Sequence, residues 1–453
     1  MKVVKFGGSS LATGAQLEKV FNIVTSDPER KFVVVSAPGK RHEQDIKVTD
    51  LLIECAENRL QGIEIQPVFD AIIHRYKSIA EELSLGDEII GEIKASLHER
   101  LNGDMEDKEH FVDAVKASGE DNNAKLVARY FQSRGVEARY VNPKEAGLFV
   151  TDETGSARVL PESYENLYRL RDLPGIIIFP GFFGYTKEGK IVTFARSGSD
   201  ITGAILAKGV KASLYENFTD VDAVYSVNPK IVKNPKEIRE LTYREMRELS
   251  YAGFSVFHDE ALIPAFEAGI PVNIKNTNNP SAPGTMIVNK RTRENGPVVG
   301  IASDKGFCSI YVSKFLMNRE IGFGRRLLKI IEDFGLSYEH TPSGIDDISV
   351  ILRDNQLNPD LEEKIIGKIK EELKPDDVKI EHGFSLIMVV GEGMRRNIGL
   401  AARATRAFAK AGVNIEMINQ GSSEVSLMFG VREEDEEKAV QSLYEEFFVS
   451  VPV

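Results

Sequence analysis

From the first residue to about position 301, short β-branched apolar runs alternate with longer stretches whose apolar residues recur at the helical period. Residues 3–6, 32–36, 138–141, 175–179, 191–194 and 212–218 read as strands. Several of these runs are apolar at consecutive positions, which predicts burial on both sheet faces beneath flanking helices, an αβα sandwich. Thr242-Tyr243-Arg244-Glu245 has the spacing of a capping box, so a helix should start there and stop near Gly253. Turn formers crowd residues 276–284 and 290–297, which places the end of this large domain near residue 300.

Beyond residue 301 the rhythm changes to an internal repeat. Gly335, Glu339, Gly344 and Ser349 recur as Gly412, Glu416, Gly421 and Ser426, and Ile321-Gly322 recurs as Ile398-Gly399, each 77 residues later. Each copy reads strand (307–313; 385–390), helix, strand, strand, helix, strand, the βαββαβ order of a small ferredoxin-like sandwich. Two modules are therefore expected, at 301–381 and 382–453. Residues 298–303 form a spare strand, which leaves room for strand exchange between them.

Acidic residues outnumber basic ones, 69 to 57, giving a net charge of −12. Such a chain repels phosphate backbones and anionic headgroups, so neither nucleic acid nor a membrane is an expected partner. No apolar run approaches the ~20 residues that span a bilayer. Charge and glycine interrupt Met1-Lys2-Val3-Val4-Lys5-Phe6-Gly7-Gly8, so there is no secretory signal core and a cytoplasmic location is expected. Cys55 and Cys308 lack metal-ligand spacing and the seven histidines form no cluster, so the cysteines read as small buried hydrophobes and no protein-held metal is expected.

Four motifs can carry chemistry. Lys5-Phe6-Gly7-Gly8-Ser9-Ser10 follows a strand and precedes a helix: glycines let backbone amides approach a phosphate, and Lys5 adds a point charge. Neither a P-loop nor a GxGxxG fingerprint is present. Phe194-Ala195-Arg196-Ser197-Gly198-Ser199-Asp200 again joins a strand to a helix. Arg196 offers a fork for a carboxylate, while Ser199 and Asp200 read either as helix caps or, for Asp200, as an anchor for lysine side chains. Ser118-Gly119-Glu120 is placed at the opening of a helix, where Glu120 is a first-turn acid or an anion for a substrate ammonium; on the residues alone, capping is the simpler reading. Thr219-Asp220-Val221-Asp222-Ala223-Val224-Tyr225 closes a strand with groups that meet a nucleotide or only turn the chain.

These motifs, together with the two C-terminal modules, resemble the aspartokinase family over essentially the whole chain. The resemblance implies an amino-acid-kinase catalytic domain followed by two ACT modules. It also implies transfer of the γ-phosphoryl group of ATP, which brings Mg²⁺ as part of the co-substrate, to the β-carboxylate of L-aspartate. The product, 4-phospho-L-aspartate, opens the route to lysine, threonine and methionine, with feedback by end-product amino acids such as lysine or threonine. Lys5, Gly7, Gly8 and Ser9 would then meet the ATP phosphates, Asp200 would organise lysine side chains, and Thr219, Asp220, Tyr225 and Lys230 would contact the nucleotide. Aspartate would be held by Ser36, Thr49, Glu120, Arg196 and Ser199. Met317, Gly322, Phe323, Ser343, Asp346 and Asp347 correspond to effector loops of the first module, and Asn414, Ile415 and Gln420 to loops of the second. A homodimer through the ACT modules is expected. Two positions depart from the family pattern: Ser255 stands where many members have lysine, and Lys230 where arginine is frequent. The rivals are a kinase for glutamate or an acylated amino acid, against which the ACT pair argues, and a catalytically silent amino-acid sensor, against which Lys5, Arg196 and Asp200 argue.

Overall fold

The computed structural model describes residues 1–195, 197–254, 260–292, 296–421 and 425–449. They fall into two units. The first is Met1–Val224, Glu237–Met246 and the described part of Val256–Arg293; the second is Tyr225–Lys236, the described part of Arg247–Ser255, and the C-terminal region. Two short segments expected in the 1–300 domain thus group with the C-terminal unit.

The first unit is built on an eight-stranded sheet in the order Glu240–Thr242, Thr285–Val288, Val272–Asn276, Leu214–Thr219, Lys2–Phe6, Arg30–Val35, Ile176–Pro180, Ala138–Tyr140. From Val272–Asn276 to Ala138–Tyr140 every neighbour is parallel. Val3, Val4, Phe6, Val33, Val34, Ile177 and Ile178 are fully buried, as consecutive apolar residues in a two-sided parallel sheet must be. Val4 and Phe6 face a core shared with the helices Gly14–Thr25, Val48–Gln61, Gln66–Glu82, Glu88–Leu101 and Lys108–Ser133. By strand alternation Lys5 points to the other face. Lys2–Phe6 is central: the next strand in sequence, Arg30–Val35, lies on one side of it and Leu214–Thr219 on the other. Such a reversal opens a crevice at the carboxyl ends of the strands, where ligands of open α/β sheets bind.

The capping box forms as expected: the Thr242 amide donates to Glu245 Oε2 at 2.9 Å and the Glu245 amide to Thr242 Oγ1 at 3.1 Å. The expectation that Ser118-Gly119-Glu120 opens a helix is corrected, since these residues lie in the middle of the 26-residue helix Lys108–Ser133. Gly119 sits there because a Cβ would come within 2.8 Å of Ala37 Cβ and 3.0 Å of Leu52 Cδ1. The close approach brings the helix against the chain leaving Arg30–Val35.

The second unit has a five-stranded antiparallel sheet in the order Asp347–Arg353, Gly300–Ser313, Asp377–Val390, Ser426–Arg432, Met417–Asn419. Two 14-residue strands serve two hydrophobic cores. Phe307–Ser313 and the start of Asp377–Val390 cover a core with the helices Phe323–Asp333 and Pro359–Leu373. Gly300–Asp304 pairs with Leu386–Val390, and Ile301 packs in the second core with the helices Leu400–Ala411 and Glu436–Tyr444. The spare strand thus completes the second module from in front of the first, and a division at 381/382 falls inside a continuous strand. Glycines in the left-handed region, Gly306 (φ 82°) and Gly383 (φ 78°), mark the irregular stretch where the long strands pass from one core to the other. Two expected strands differ. After Phe323–Asp333 only the isolated pairings His340–Ile351 and Ser343–Ile348 form, and the described chain ends in the helical turn Glu445–Val449. Among the described residues no helix is long and apolar enough to cross a membrane.

Candidate active site

At the carboxyl end of the central strand, Lys5 Nζ lies 2.6 Å from Asp200 Oδ1, both side chains almost wholly buried. Asp200 stands in the first turn of the helix Gly198–Gly209, and Asn217 Nδ2, from the neighbouring strand, donates to the same oxygen at 2.6 Å. The Tyr215 hydroxyl in turn donates to the Asp200 carbonyl at 3.2 Å. One carboxylate therefore fixes a lysine ammonium at a strand end, a point charge held for an anion. Asp200 thus makes the lysine contact that the anchor reading requires.

Gly7 and Gly8 follow Lys5. The Gly7 amide donates to Phe218 O at 3.2 Å, and Gly8 O accepts from the Gly39 amide at 2.8 Å. The two turns meet backbone to backbone: a Cβ on Gly39 would lie 2.5 Å from Gly8 C, and one on Gly8 would lie 3.0 Å from Ala37 O. The facing loop is itself pinned. Arg75, buried, donates to Gly39 O at 2.8 Å and to both Asp45 oxygens at 2.8 Å, while Arg41 binds the same carboxylate. The Arg41 hydrogen bond, together with Arg75, holds the Asp45 carboxyl well below the usual range. Gly39, Arg75, Asp45 and Asn217 were missed by the sequence reading. The Pro38-Gly39 pair after a strand was the available signal; Asn217, next to Glu216 in its strand, gave none.

Beneath this loop opens a cleft of ≈530 Å³ lined by Gly8, Ser9, Ser36, Thr49, Glu120 and Asp220, with Lys40, Arg41 and Lys47 at its walls. Glu120 is 5% exposed and its Oε2 has no hydrogen-bond partner. Burial pushes its carboxyl up to about 8, against the backbone N–H of Ala37 and the charge of Lys116. An unpartnered buried carboxyl facing a cleft is a receptor for a cation. Ser36 O accepts from Asn123 Nδ2 at 2.7 Å, which fixes the end of its strand. Ser199 is buried against Gly181, where a Cβ would stand 2.6 Å from its Oγ. The turns on either side hold two non-glycine residues in the left-handed region, Phe182 (φ 77°) and Ser197 (φ 62°), strain of the kind that gathers at functional sites. Arg196 and Ser255 lie outside the described residues.

Residues 1–276 match the amino acid kinase family and residues 387–447 the ACT domain. Aspartokinase 3 of Bacillus subtilis (strain 168) is 68% identical over 451 residues, covering 100% of this chain and 99% of that protein. The chain belongs to the aspartokinase family. It is an aspartate kinase, a phosphotransferase with a carboxyl group as acceptor, and carries ACT modules. The structure of Clostridium acetobutylicum aspartate kinase superposes with a TM-score of 0.88 at 39% identity, covering 99% of this chain and 100% of the other. Escherichia coli aspartokinase III in complex with aspartate and ADP (R-state) gives 0.80 at 26%, again covering 99% and 100%. The same enzyme in complex with lysine and aspartate (T-state) gives 0.73 at 26%, covering 99% of each.

In this aspartokinase Thr219 ends its strand and donates from Oγ1 to Asp220 Oδ1 at 3.1 Å, and Asp220 reaches the cleft. Tyr225 and Lys230 belong to the segment that folds with the second unit, and Lys230 is exposed. Among the residues expected to meet an effector, Met317 lies in a helical turn at the end of a loop, and Gly322 (φ 77°) caps the helix Phe323–Asp333. Phe323 belongs to the first ACT core. Asp346 Oδ1 accepts from the Leu316 amide at 2.8 Å, tying the two loops together. Ser343 and Asp347 line a ≈420 Å³ cleft on the open face of the sheet. Asn414 donates to Glu416 Oε1 at 2.9 Å, Ile415 packs on the second core, and Gln420 is exposed.

Proposed function

We propose that the aspartokinase reaction runs in the cleft at the carboxyl ends of Lys2–Phe6 and Arg30–Val35, with Lys5 as the cation at the transferring phosphoryl group and Asp200 as its anchor. The buried 2.6 Å Lys5–Asp200 pair, set beside the Gly7-Gly8 turn, carries this assignment. The amides of Gly8 and Ser9, in the turn that Gly7 opens, receive the ATP phosphates, with Mg²⁺ arriving on the nucleotide. Glu120 takes the aspartate ammonium, Arg196 its α-carboxylate, and Ser36, Thr49 and Ser199 the remaining polar contacts; Thr219 and Asp220 serve the nucleotide. A β-carboxylate oxygen attacks the γ-phosphorus in line, the bond to the β–γ bridging oxygen breaks, and its electron pair leaves with ADP. The attacking carboxylate is already ionised near neutral pH, so no general base is needed. Catalysis then rests on positioning and on charge stabilisation by Lys5, Mg²⁺ and the backbone amides.

Feedback acts through the ACT modules with a free amino acid of the lysine or threonine class as effector. A homodimer through these modules is part of the same proposal: Ile321 and Ile398, equivalent in the two repeats, are fully exposed, and Phe315 and Ile345 are 72% and 70% exposed nearby in sequence. The loops of Phe315 and Ile345 are joined by the Leu316–Asp346 hydrogen bond, and apolar groups gathered in this way are a surface a second copy would cover. Acyl phosphate trapped with hydroxylamine, measured with aspartate or glutamate and with or without lysine or threonine, tests both halves. Glutamate-dependent product, or insensitivity to every effector, counts against them. Light scattering of a monomer with and without effector refutes the dimer.

A further inference from the structure

Away from the cleft, and against the expectation of no protein-held metal, three ligating side chains from separate parts of the chain converge in the first ACT module. Cys308 Sγ, an Asp354 oxygen and a His382 nitrogen all lie within 4.8 Å of one another. Strand register brings them together. Phe307 is paired with both Arg353 and Phe384, so Cys308, Asp354 and His382 share one end of the sheet, at the irregular stretch marked by Gly306 and Gly383. Cys308 is fully buried and forms the floor; the side chains of Asp354 and His382 are 31% and 44% exposed and open the group to solvent.

We propose that Cys308, Asp354 and His382 form a site for a thiophilic divalent cation of the zinc class. A thiolate, a carboxylate and a neutral imidazole bring two negative charges to a dication and leave one tetrahedral position for water. The sulfur selects against magnesium and calcium, which take oxygen ligands. His382 supplies a second, independent indication. Its Nδ1 is 2.9 Å from Asp354 Oδ1, while its Nε2 is 3.3 Å from Glu362 Oε1 on the helix Pro359–Leu373. With the metal on Nδ1, the Nε2–H donates to Glu362, the carboxylate–imidazole–metal arrangement that orients histidine ligands. Binding displaces the thiol proton and any proton on Nδ1, and both leave to solvent. The ion would tie both long strands and the turn after Arg353 over the first ACT core.

Co²⁺ is the probe. Full-length protein freed of metal by a chelator is titrated with Co²⁺ while thiolate-to-cobalt charge-transfer absorption is recorded, and Zn²⁺ is then added. The site predicts one equivalent of Co²⁺ per chain with that absorption, displaced by Zn²⁺. Cys308→Ser removes the band and Cys55→Ser keeps it; Glu362→Gln weakens binding by roughly 10–100-fold. His382→Asn leaves the core thiol in place and so covers the case in which Cys308→Ser does not fold; it too should lose Co²⁺. Absence of the charge-transfer band, its survival in Cys308→Ser, or undiminished affinity in His382→Asn overturns the site and leaves His382 as a bridge between two carboxylates.

Discussion

Raising the pH toward 8 and beyond should tighten aspartate binding, because the group assigned to the substrate ammonium is a buried acid that must first lose its proton. The Glu120 carboxyl is pushed up to about 8 by burial, with Oε2 lacking any partner. At pH 7 about one molecule in ten is then ionised, and reaching the charged form costs about 1.4 kcal/mol; at pH 6 the fraction is about one in a hundred. The KM for aspartate should therefore fall on the order of 100-fold between pH 6 and a plateau above pH 8, while the KM for ATP stays level. Initial-rate measurements of ADP release across this range read both constants, and Glu120→Gln should bind aspartate weakly and without the pH trend. A second readout follows from linkage. The folded pKa lies above the unfolded one, so this group's contribution to stability is complete below about pH 4 and declines as pH rises to about 8. Substrate-free enzyme should lose melting temperature over that window, less so in Glu120→Gln. A KM for aspartate that is constant from pH 6 to 9 would refute the reasoning.

The backbone contact between the two turns makes Gly39→Ala informative: its Cβ would overlap Gly8 C at 2.5 Å. Relief requires the phosphate turn to move, so the KM for ATP should rise at least tenfold with a stability loss of about 1–3 kcal/mol; unchanged ATP kinetics would show that the turn does not meet phosphate. Arg75→Met removes the buried partner of Asp45 and a donor to Gly39 O. Breaking a buried pair costs about 3–5 kcal/mol, less whatever Arg41 retains, so denaturant titration should show a loss of a few kcal/mol. Arg75→Met/Asp45→Asn should recover part of it, and no recovery would contradict the pairing argument.

The sheet was legible because parallel strands buried on both faces leave consecutive apolar runs, and residues 3–6, 32–36 and 175–179 have no polar interruption except Lys5 and Ser36, the two residues that reach the site. The capping box was legible because both of its partners lie within four residues. What escaped is what the chain assembles over distance. Ser118-Gly119-Glu120 looks like a helix opening, and only packing against Ala37 and Leu52 reveals a helix interior with a glycine needed for contact. Gly39 and Arg75 act through a loop whose partner lies 36 residues away. The modules were visible through the 77-residue repeat, but the sharing of Gly300–Ser313 and Asp377–Val390 between two cores depends on strand pairing that no local pattern encodes. Cys308, Asp354 and His382 lack any sequence spacing for the same reason.

The central claim is that Lys5, held by Asp200 at the end of the central strand, carries the phosphoryl transfer. Acyl-phosphate formation by Lys5→Ala, trapped with hydroxylamine at saturating ATP, Mg²⁺ and aspartate and paired with calorimetric aspartate binding, tests it most directly. The account predicts turnover lower by on the order of 100- to 1,000-fold with aspartate affinity little changed. Wild-type turnover, or a defect confined to aspartate binding, would contradict it.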